Sequence, residues 1–304
     1  MIVFNPANPK KEICQETDQA LEKLQGHRFR LHSPRFTWDI NHRTLIIGVL
    51  NITPDSFSDG GKFMEPRIAI ERALEMREEG ADIIDIGAES TRPGSDPVSS
   101  QEELNRLLPV IRPLVKLGHI PISVDTYKSE VAKIMLDEGV DMINDISGFT
   151  FDCHMPEALA PHNVPVIIMH TPGPPKTMQQ NIKYRALIPD ILLFLRQAIE
   201  MGKKAGINQE RFIIDPGIGF GKTGAQNLAI IRLLSDFRSL GRPIMIGVSR
   251  KSFIGKILDL PPEERIEGTA AAVVVSILNG ANLIRVHDVK AMTRVAKMAD
   301  ALKS

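Results

Sequence analysis

The chain has 304 residues, the size of one large α/β domain rather than two. Hydrophobic residues make up 43% and charged residues 24%, an ordinary composition with enough apolar material for a sizeable core. Lys+Arg and Asp+Glu are both 37, a formal charge of zero that argues against a general nucleic-acid or acidic-membrane binder and leaves room for a local basic pocket.

Cys14 and Cys153 form neither a metal pattern nor a disulfide framework, as expected of a reducing compartment. No run reaches the roughly 18 apolar residues of a transmembrane helix. The opening MIVFNPANPKKE lacks the basic and apolar regions of a secretion signal. The expectation is a cytoplasmic protein with neither nucleic-acid nor membrane partners.

In chain order, residues 1–27 read as an extension, with Glu12 to Leu24 compatible with an amphipathic helix on Ala20, Leu21 and Leu24. Residues 28–304 read as the main domain. Its first part, Arg28 to Ile40, alternates Phe29, Leu31, Phe36, Trp38 and Ile40, which predicts a hairpin capping the bottom of that domain.

From Leu45 the rhythm is regular. Apolar runs fall at Leu45–Leu50, Asp82–Ala88, Ile120–Val124, Asp141–Asn144, Pro165–Met169, Arg211–Ile214, Pro243–Val248 and Asn282–Val286. Helical patterns come after them at Arg67–Glu79, Gln101–Val115, Lys128–Glu138, Met155–Pro161, Ala186–Ala205, Ala225–Leu240, Arg265–Leu278 and Val289–Leu302. Eight strand–helix units at this length predict an α/β fold of the (β/α)8 TIM-barrel type, with a short N-terminal extension and a hairpin cap. An open doubly wound sheet is the competitor, but it usually has fewer strands and a Gly-rich first turn.

The polar residues at or just beyond the strand ends are Asn51, Glu89, Asp125, Asn144, His170 after Met169, Asp215, Ser249 with Lys251, and Arg285 with His287. A barrel whose chemistry sits at the carboxyl rim would gather these onto one mouth. The first strand ends in the loop NITPDSFSDGG, where Pro54 forbids a continuing central strand and Gly60-Gly61 relax the backbone. Two trivial readings of this loop fail. The Asn51-Ile52-Thr53 glycosylation triplet has no secretory route, and a calcium loop starting at Asp55 would have Phe57 third and Pro66 twelfth.

DPGIGFGKT, at 215–223, resembles a phosphate loop only superficially. A Walker A loop needs glycine where Pro216 stands, and the dinucleotide pattern needs glycine where Lys222 stands. The alternative is that Asp215 bonds a ligand and Phe220 closes a wall. Asp125, Asn144 and Asp215, from three strands on one rim, suit a flat heterocycle offering several N–H donors. A helix-capping role competes for the Asp125–Lys128 segment, more for Thr126 than for Asp125. Arg92, Arg285 and His287 suit a polyphosphate, with a hard divalent cation on Asn51. His170 fits either tautomer-fixed packing or ligand contact.

Together NITPDSFSDGG, ESTRPG, SVDT, IND, DPGIGFGKT, SRKS and RVHD resemble the dihydropteroate synthase family, from about Arg43 to the C-terminus and in the right order. The resemblance implies a TIM barrel that joins 6-hydroxymethyl-7,8-dihydropterin diphosphate to p-aminobenzoate, releases pyrophosphate, requires Mg²⁺ and forms a homodimer. It implies Asn51 as the metal ligand. Asp125, Asn144, Met169, Asp215 and Lys251 become pterin contacts, and Thr91, Arg285 and His287 diphosphate contacts. Phe57, Pro93, Phe220, Lys251 and Ser252 become the p-aminobenzoate walls, where sulfonamides bind. Catalytic roles are implied for Asp55, Arg92, Lys251, Arg285 and His287.

The chemistry is consistent with these residues. A pterin ring delocalises positive charge at its exocyclic methylene carbon, so leaving-group stabilisation matters more than a strong base. Two departures stand out: the rim after Met169 reads HTPGPPKTMQ, richer in proline than the family pattern, and the N-terminal extension is longer. Two competing readings are a methyltetrahydrofolate-binding methyltransferase, which needs no diphosphate clamp, and a paralogue that binds pterins without turnover.

Overall fold

The computed structural model describes residues 29–53 and 65–303. The expected helix at Glu12–Leu24 and the loop residues Asp55 and Phe57 lie outside the described residues. Eight parallel strands form one sheet: β3 (Leu45–Asn51), β4 (Ile83–Gly87), β5 (Ile122–Asp125), β6 (Met142–Asp145), β7 (Val166–Met169), β8 (Phe212–Asp215), β9 (Met245–Ile246) and β10 (Leu283–Val286). Strand β10 pairs with β3, and a parallel bridge between Ile214 and Ile244 brings β8 to the β9 edge, so the sheet closes into a barrel.

The pleat of β3 shows how sequence becomes layers. Ile46 and Leu50 face outward into the main helix-packed core, while Leu45 and Ile47 face inward. Gly48 lies on the outward side, where a Cβ would sit 3.1 Å from Val289 and 3.3 Å from Met76, so glycine sets how closely the helices approach. The helices against the sheet include α1 (Pro66–Glu78), α2 (Ser100–Leu117), α3 (Ser129–Asp137) and α4 (Met155–Leu159). They continue with α5 (Leu187–Lys204), α6 (Gly224–Arg232), α7 (Ser252–Leu258), α8 (Ile266–Leu278) and α9 (Val289–Lys303). Buried Ala69, Ala73 and Met76 repeat at helical spacing on α1. In α2 the Ser99 hydroxyl accepts from the Glu102 N–H, and Gly118 ends the helix at φ 77°.

The inward residues at the bottom are apolar: Leu45, Ile47, Ile83, Met142, Ile167, Ile213, Met245 and Leu283. Below them lies the antiparallel hairpin of β1 (Arg30–His32) and β2 (Thr37–Asp39), which buries Leu31 and Trp38 against this layer. The Asp141 carboxylate holds the hairpin from the start of β6, accepting from Ser33 Oγ at 2.9 Å and from Arg35. The floor is therefore sealed, and any ligand must enter from the carboxyl rim.

Three elements differ from the sequence reading. The helix expected over Ala225–Leu240 is α6 followed by a 3-10 turn at Leu234–Leu240. The run Pro243–Val248 yields only Met245–Ile246 as strand, because the closing seam to β8 is a single bridge. Helix α7 was not anticipated, since its seven residues are too few to show a period.

Candidate active site

Above the apolar floor the same inward pleat turns polar. Register sets Val49 beside Asp85, Asp125 beside Asn144, and Met169 beside Asp215. A cavity opens here, lined by Thr91, Asp125, Asn144, Met169, Asp215, Phe220, Ser249, Lys251, Arg285 and His287, with Val49 and Met245 as its base. Most of the residues nominated from sequence thus share one wall. Asn51 ends β3, two strands from Asp125. Between them Gly87 leaves a gap, for a Cβ there would meet Asp125 Cβ at 3.5 Å and Asn51 Oδ1 at 3.6 Å. Arg92, Pro93 and Ser252 are exposed, the first two on the loop after β4 and the third at the start of α7, and none of them lines the cavity.

Asp85, which the sequence reading passed over, organises the centre. Its Oδ2 accepts from Asn144 Nδ2 at 3.0 Å and from Arg285 Nε at 2.6 Å, while Arg285 Nη2 donates to Asp125 Oδ2 at 2.8 Å. The signal was a lone aspartate at the middle of an apolar run, where only an inward pleat position with a partner tolerates charge. Asn144 Oδ1 is buried and has no partner among the described residues. A buried amide oxygen left unpaired costs about 1–3 kcal/mol, so it is suited to accept from a ligand N–H.

The charges are tuned by burial. Asp125 is pushed up to about 7, chiefly by burial, with Arg285 opposing the rise and Asp85 adding to it. Asp215 is raised by burial too, although the Gly217 N–H donating to its Oδ1 at 2.7 Å favours the ionised form. Lys251 falls to about 8 through burial and the neighbouring Arg285 cation. Burial pulls Arg285 down, but Asp85 and Asp125 more than offset this and leave it raised. His287 falls to about 4 through burial and the repulsion of Arg285, so it is neutral at pH 7. Ser249 Oγ lies 3.2 Å from the His287 backbone N–H, which it accepts, and 3.0 Å from Nδ1. The Ser249 hydroxyl thus orients the His287 ring through both contacts.

Two nominated rim positions turn out to serve other ends. Glu89 lies beyond the end of β4 and turns outward, with Oε1 accepting from Tyr127 and Oε2 from Lys128 Nζ and the Val98 N–H. His170 packs edge-on against Phe194 and bonds the buried Lys222, the packing reading rather than the ligand one. Lys128 precedes α3 without any side-chain cap. The Asp152 carboxylate accepts from the Ser129 N–H instead, which leaves Asp125 to the cavity.

Fold and site define a barrel enzyme that handles a small, flat, polar-edged molecule at its carboxyl rim, with cationic and N–H donors at one end. The family model of pterin binding enzymes matches residues 47–287. A dihydropteroate synthase of Synechocystis is 48% identical over 87% of this chain and 92% of its own length. Among solved structures, a dihydropteroate synthase from Clostridium difficile, determined in the presence of pteroic acid, is 45% identical with a TM-score of 0.81, covering 86% of this chain and 97% of its own. A Yersinia pestis dihydropteroate synthase with a sulfonamide drug complex is 40% identical with a TM-score of 0.86, covering 90% and 99%. The chain belongs to the pterin-binding enzymes, within the dihydropteroate synthases.

Proposed function

We propose that the cavity condenses 6-hydroxymethyl-7,8-dihydropterin diphosphate with p-aminobenzoate, giving 7,8-dihydropteroate and pyrophosphate for folate synthesis. The observation that carries the assignment of residues is the buried acceptor set: Asp125, Asp215 and the unpartnered Asn144 oxygen face one cavity, with Lys251 as the donor beside them. A pterin ring presents several N–H groups and a carbonyl, and pairing each with this set meets the cost of burying them. Met169 supplies an apolar face.

The diphosphate is placed at Thr91, Arg285 and His287. Two of the five Arg285 N–H groups are bonded to Asp85 and Asp125 among the described residues, and these ion pairs hold the guanidinium plane while the others serve phosphate oxygens. His287 contributes a neutral imidazole. The methylene C–O bond breaks, its electron pair leaves with the diphosphate, the aniline nitrogen bonds to the methylene carbon, and the nitrogen proton is then lost to solvent. Donors fixed in place before departure act on the charge that develops.

Mg²⁺ fits the donor set. Asn51 offers a hard amide oxygen at the rim, and among the described residues no three acidic, His or Cys side chains form a protein cage, as suits an ion that keeps waters and phosphate oxygens. Asn51 would hold it, and its charge would neutralise the leaving diphosphate. Phe220 forms a p-aminobenzoate wall, with Pro93 and Ser252 at its outer edge.

The homodimer reading is supported by α8, which reads IEGTAAAVVVSIL and is apolar on its outer face too. Val275 and Leu278 are exposed there, as are Ile257 and Leu258 of α7. A second copy covering this face would give a sedimentation mass twice that of the chain. No described helix is long and apolar enough to cross a membrane, and the cysteine usage supports a cytoplasmic location.

The test is pyrophosphate release from the dihydropterin diphosphate and Mg²⁺, with and without p-aminobenzoate. Release that depends on the aniline, with dihydropteroate formed, is the expected result. Tight pterin binding without release would instead identify a non-catalytic binder.

A further inference from the structure

The loop after β8 contains a buried lysine that the reaction does not use. Lys222 is only 4% exposed and has no carboxylate within ion-pair distance among the described residues. Its Nζ donates to the Phe220 carbonyl at 2.9 Å and reaches His170 Nδ1 at 3.0 Å, with the His170 carbonyl at 3.4 Å. Burial and Lys222 together push His170 down to about 2, which keeps the ring neutral. Burial pulls the Lys222 amine down to about 7, with Asp215 opposing the fall, and a lysine buried this deeply must find partners for its N–H groups inside the protein.

What the loop gains is immobility. Gly217, Gly219 and Gly221 all have positive φ, at 75°, 86° and 59°, and the turn they form is closed by the Phe220 N–H donating to the Gly217 oxygen at 3.1 Å. Three consecutive carbonyls are in addition pinned by side chains. The Gly219 oxygen accepts from Gln179 Nε2 at 2.7 Å, the Phe220 oxygen from Lys222, and the Gly221 oxygen from the Tyr184 hydroxyl at 3.0 Å. Gln179 and Tyr184 come from the segment after β7 that begins with the proline-rich rim. Lys222 joins the same segment from the other side, through His170. The two loops meet without slack, since a Cβ on Gly221 would fall 2.1 Å from Pro172 and one on Gly217 2.0 Å from the His170 oxygen. The clasped residue is Phe220, whose ring lies 4.5 Å beneath the Lys251 ammonium.

We propose that Lys222 is a positioning residue that, through the Phe220 carbonyl and His170, holds the Phe220 ring and with it the p-aminobenzoate subsite. This rests on the reading of Phe220 as a wall of that subsite. Lys222 touches neither substrate. It sets the distance between Phe220 and Lys251, and so decides how well the aniline is aimed at the methylene carbon.

The experiment compares steady-state constants for both substrates in Lys222→Met, Lys222→Gln and Phe220→Ala. Lys222→Met keeps the stem and removes every N–H. The expected result is a KM for p-aminobenzoate raised about tenfold, as a displaced contact produces, with the KM for dihydropterin diphosphate near its original value. Lys222→Gln, which keeps a donor toward the Phe220 carbonyl, recovers part of the loss. Equal changes in both KM values and in kcat, or no change, would overturn the proposal, because a merely structural lysine does not separate the two substrates. If both Lys222 variants are unfolded, Tyr184→Phe reads the neighbouring carbonyl: a selective rise in the p-aminobenzoate KM supports the clasp and an unchanged value refutes it. Phe220→Ala separates the two failures. If it too leaves the p-aminobenzoate KM unchanged, the wall assignment is wrong; if it alone raises the value, only the role of Lys222 is wrong.

Discussion

Two buried ionic clusters lie on either side of the barrel wall and share one plan, a cation between two carboxylates. Inside, Arg285 bridges Asp85 and Asp125 at 2.6 and 2.8 Å. Outside, Lys128 bridges Glu89 and Glu103, both at 2.5 Å. The inner cluster lines a cavity, keeps N–H groups of Arg285 in reserve, and leaves the Asn144 oxygen unmet. The outer one is packed under α2, with Tyr127 and the Val98 backbone N–H donating to Glu89 and Glu103 raised by burial; its one unpartnered oxygen among the described residues, Glu103 Oε1, faces no cavity. Buried charge alone therefore does not mark a site. The side of the strand does: Asp85 and Asp125 fall on the inward pleat, whereas Glu89 comes after the strand and Glu103 rides on a helix.

The contrast can be broken most forcefully at Arg285. Arg285→Ala should lower turnover with saturating substrates by about 10²–10³-fold, the usual loss for one preorganised donor, read as pyrophosphate release. Unchanged turnover would remove Arg285 from the leaving-group role. Lys128→Met is the matched change outside. Leaving two buried carboxylates unpaired should cost about 3–5 kcal/mol in denaturant unfolding, with kcat/KM of the folded protein near the original value. A loss of activity without a loss of stability would mean the outer cluster serves catalysis.

The inner cluster should also show in the pH profile. In the proposed binding mode the pterin is held by ionised Asp125, at about 7, and protonated Lys251, at about 8. Asp125 gains its proton as pH falls below its value, and Lys251 loses its own as pH rises above, so kcat/KM for the dihydropterin diphosphate should fall on both sides of that window. Asp125→Asn should flatten the acid limb, and an acid limb that persists would assign it to another group. The smallest effect is expected at the rim, where Lys176 pairs with Asp96 at 2.6 Å with both side chains exposed. Lys176→Ala should leave the denaturant midpoint and both KM values close to their original values, since an exposed pair is screened by solvent.

Much of the site was legible because strand ends are punctuated. Asp125, Asn144 and Asp215 each end an apolar run or directly follow one, and the barrel rule carries such residues to one mouth. Glu89 obeyed the same rule on paper and failed it in space, since β4 stops at Gly87 and the chain turns away before reaching it. Asp85 was hidden because it stands within a run rather than at its end. Lys222 was noticed only as a missing glycine, and its burial depends on a contact with His170, 52 residues earlier, that no local pattern encodes.

The amino-acid sequence by itself determined the eightfold strand–helix rhythm, the hairpin under the floor and the motifs that place the chain in its family. These depend on period and residue type, which are local properties. Tertiary structure alone decided which charges are partners. It closed β8 against β9, set Arg285 against Asp85, two strands away in the sheet and 200 positions away in the chain, and put one carboxylate pair on the inner face of the wall and the other behind it. Closure fixes those distances, and an electrostatic interaction between buried groups exists only once the distance is fixed.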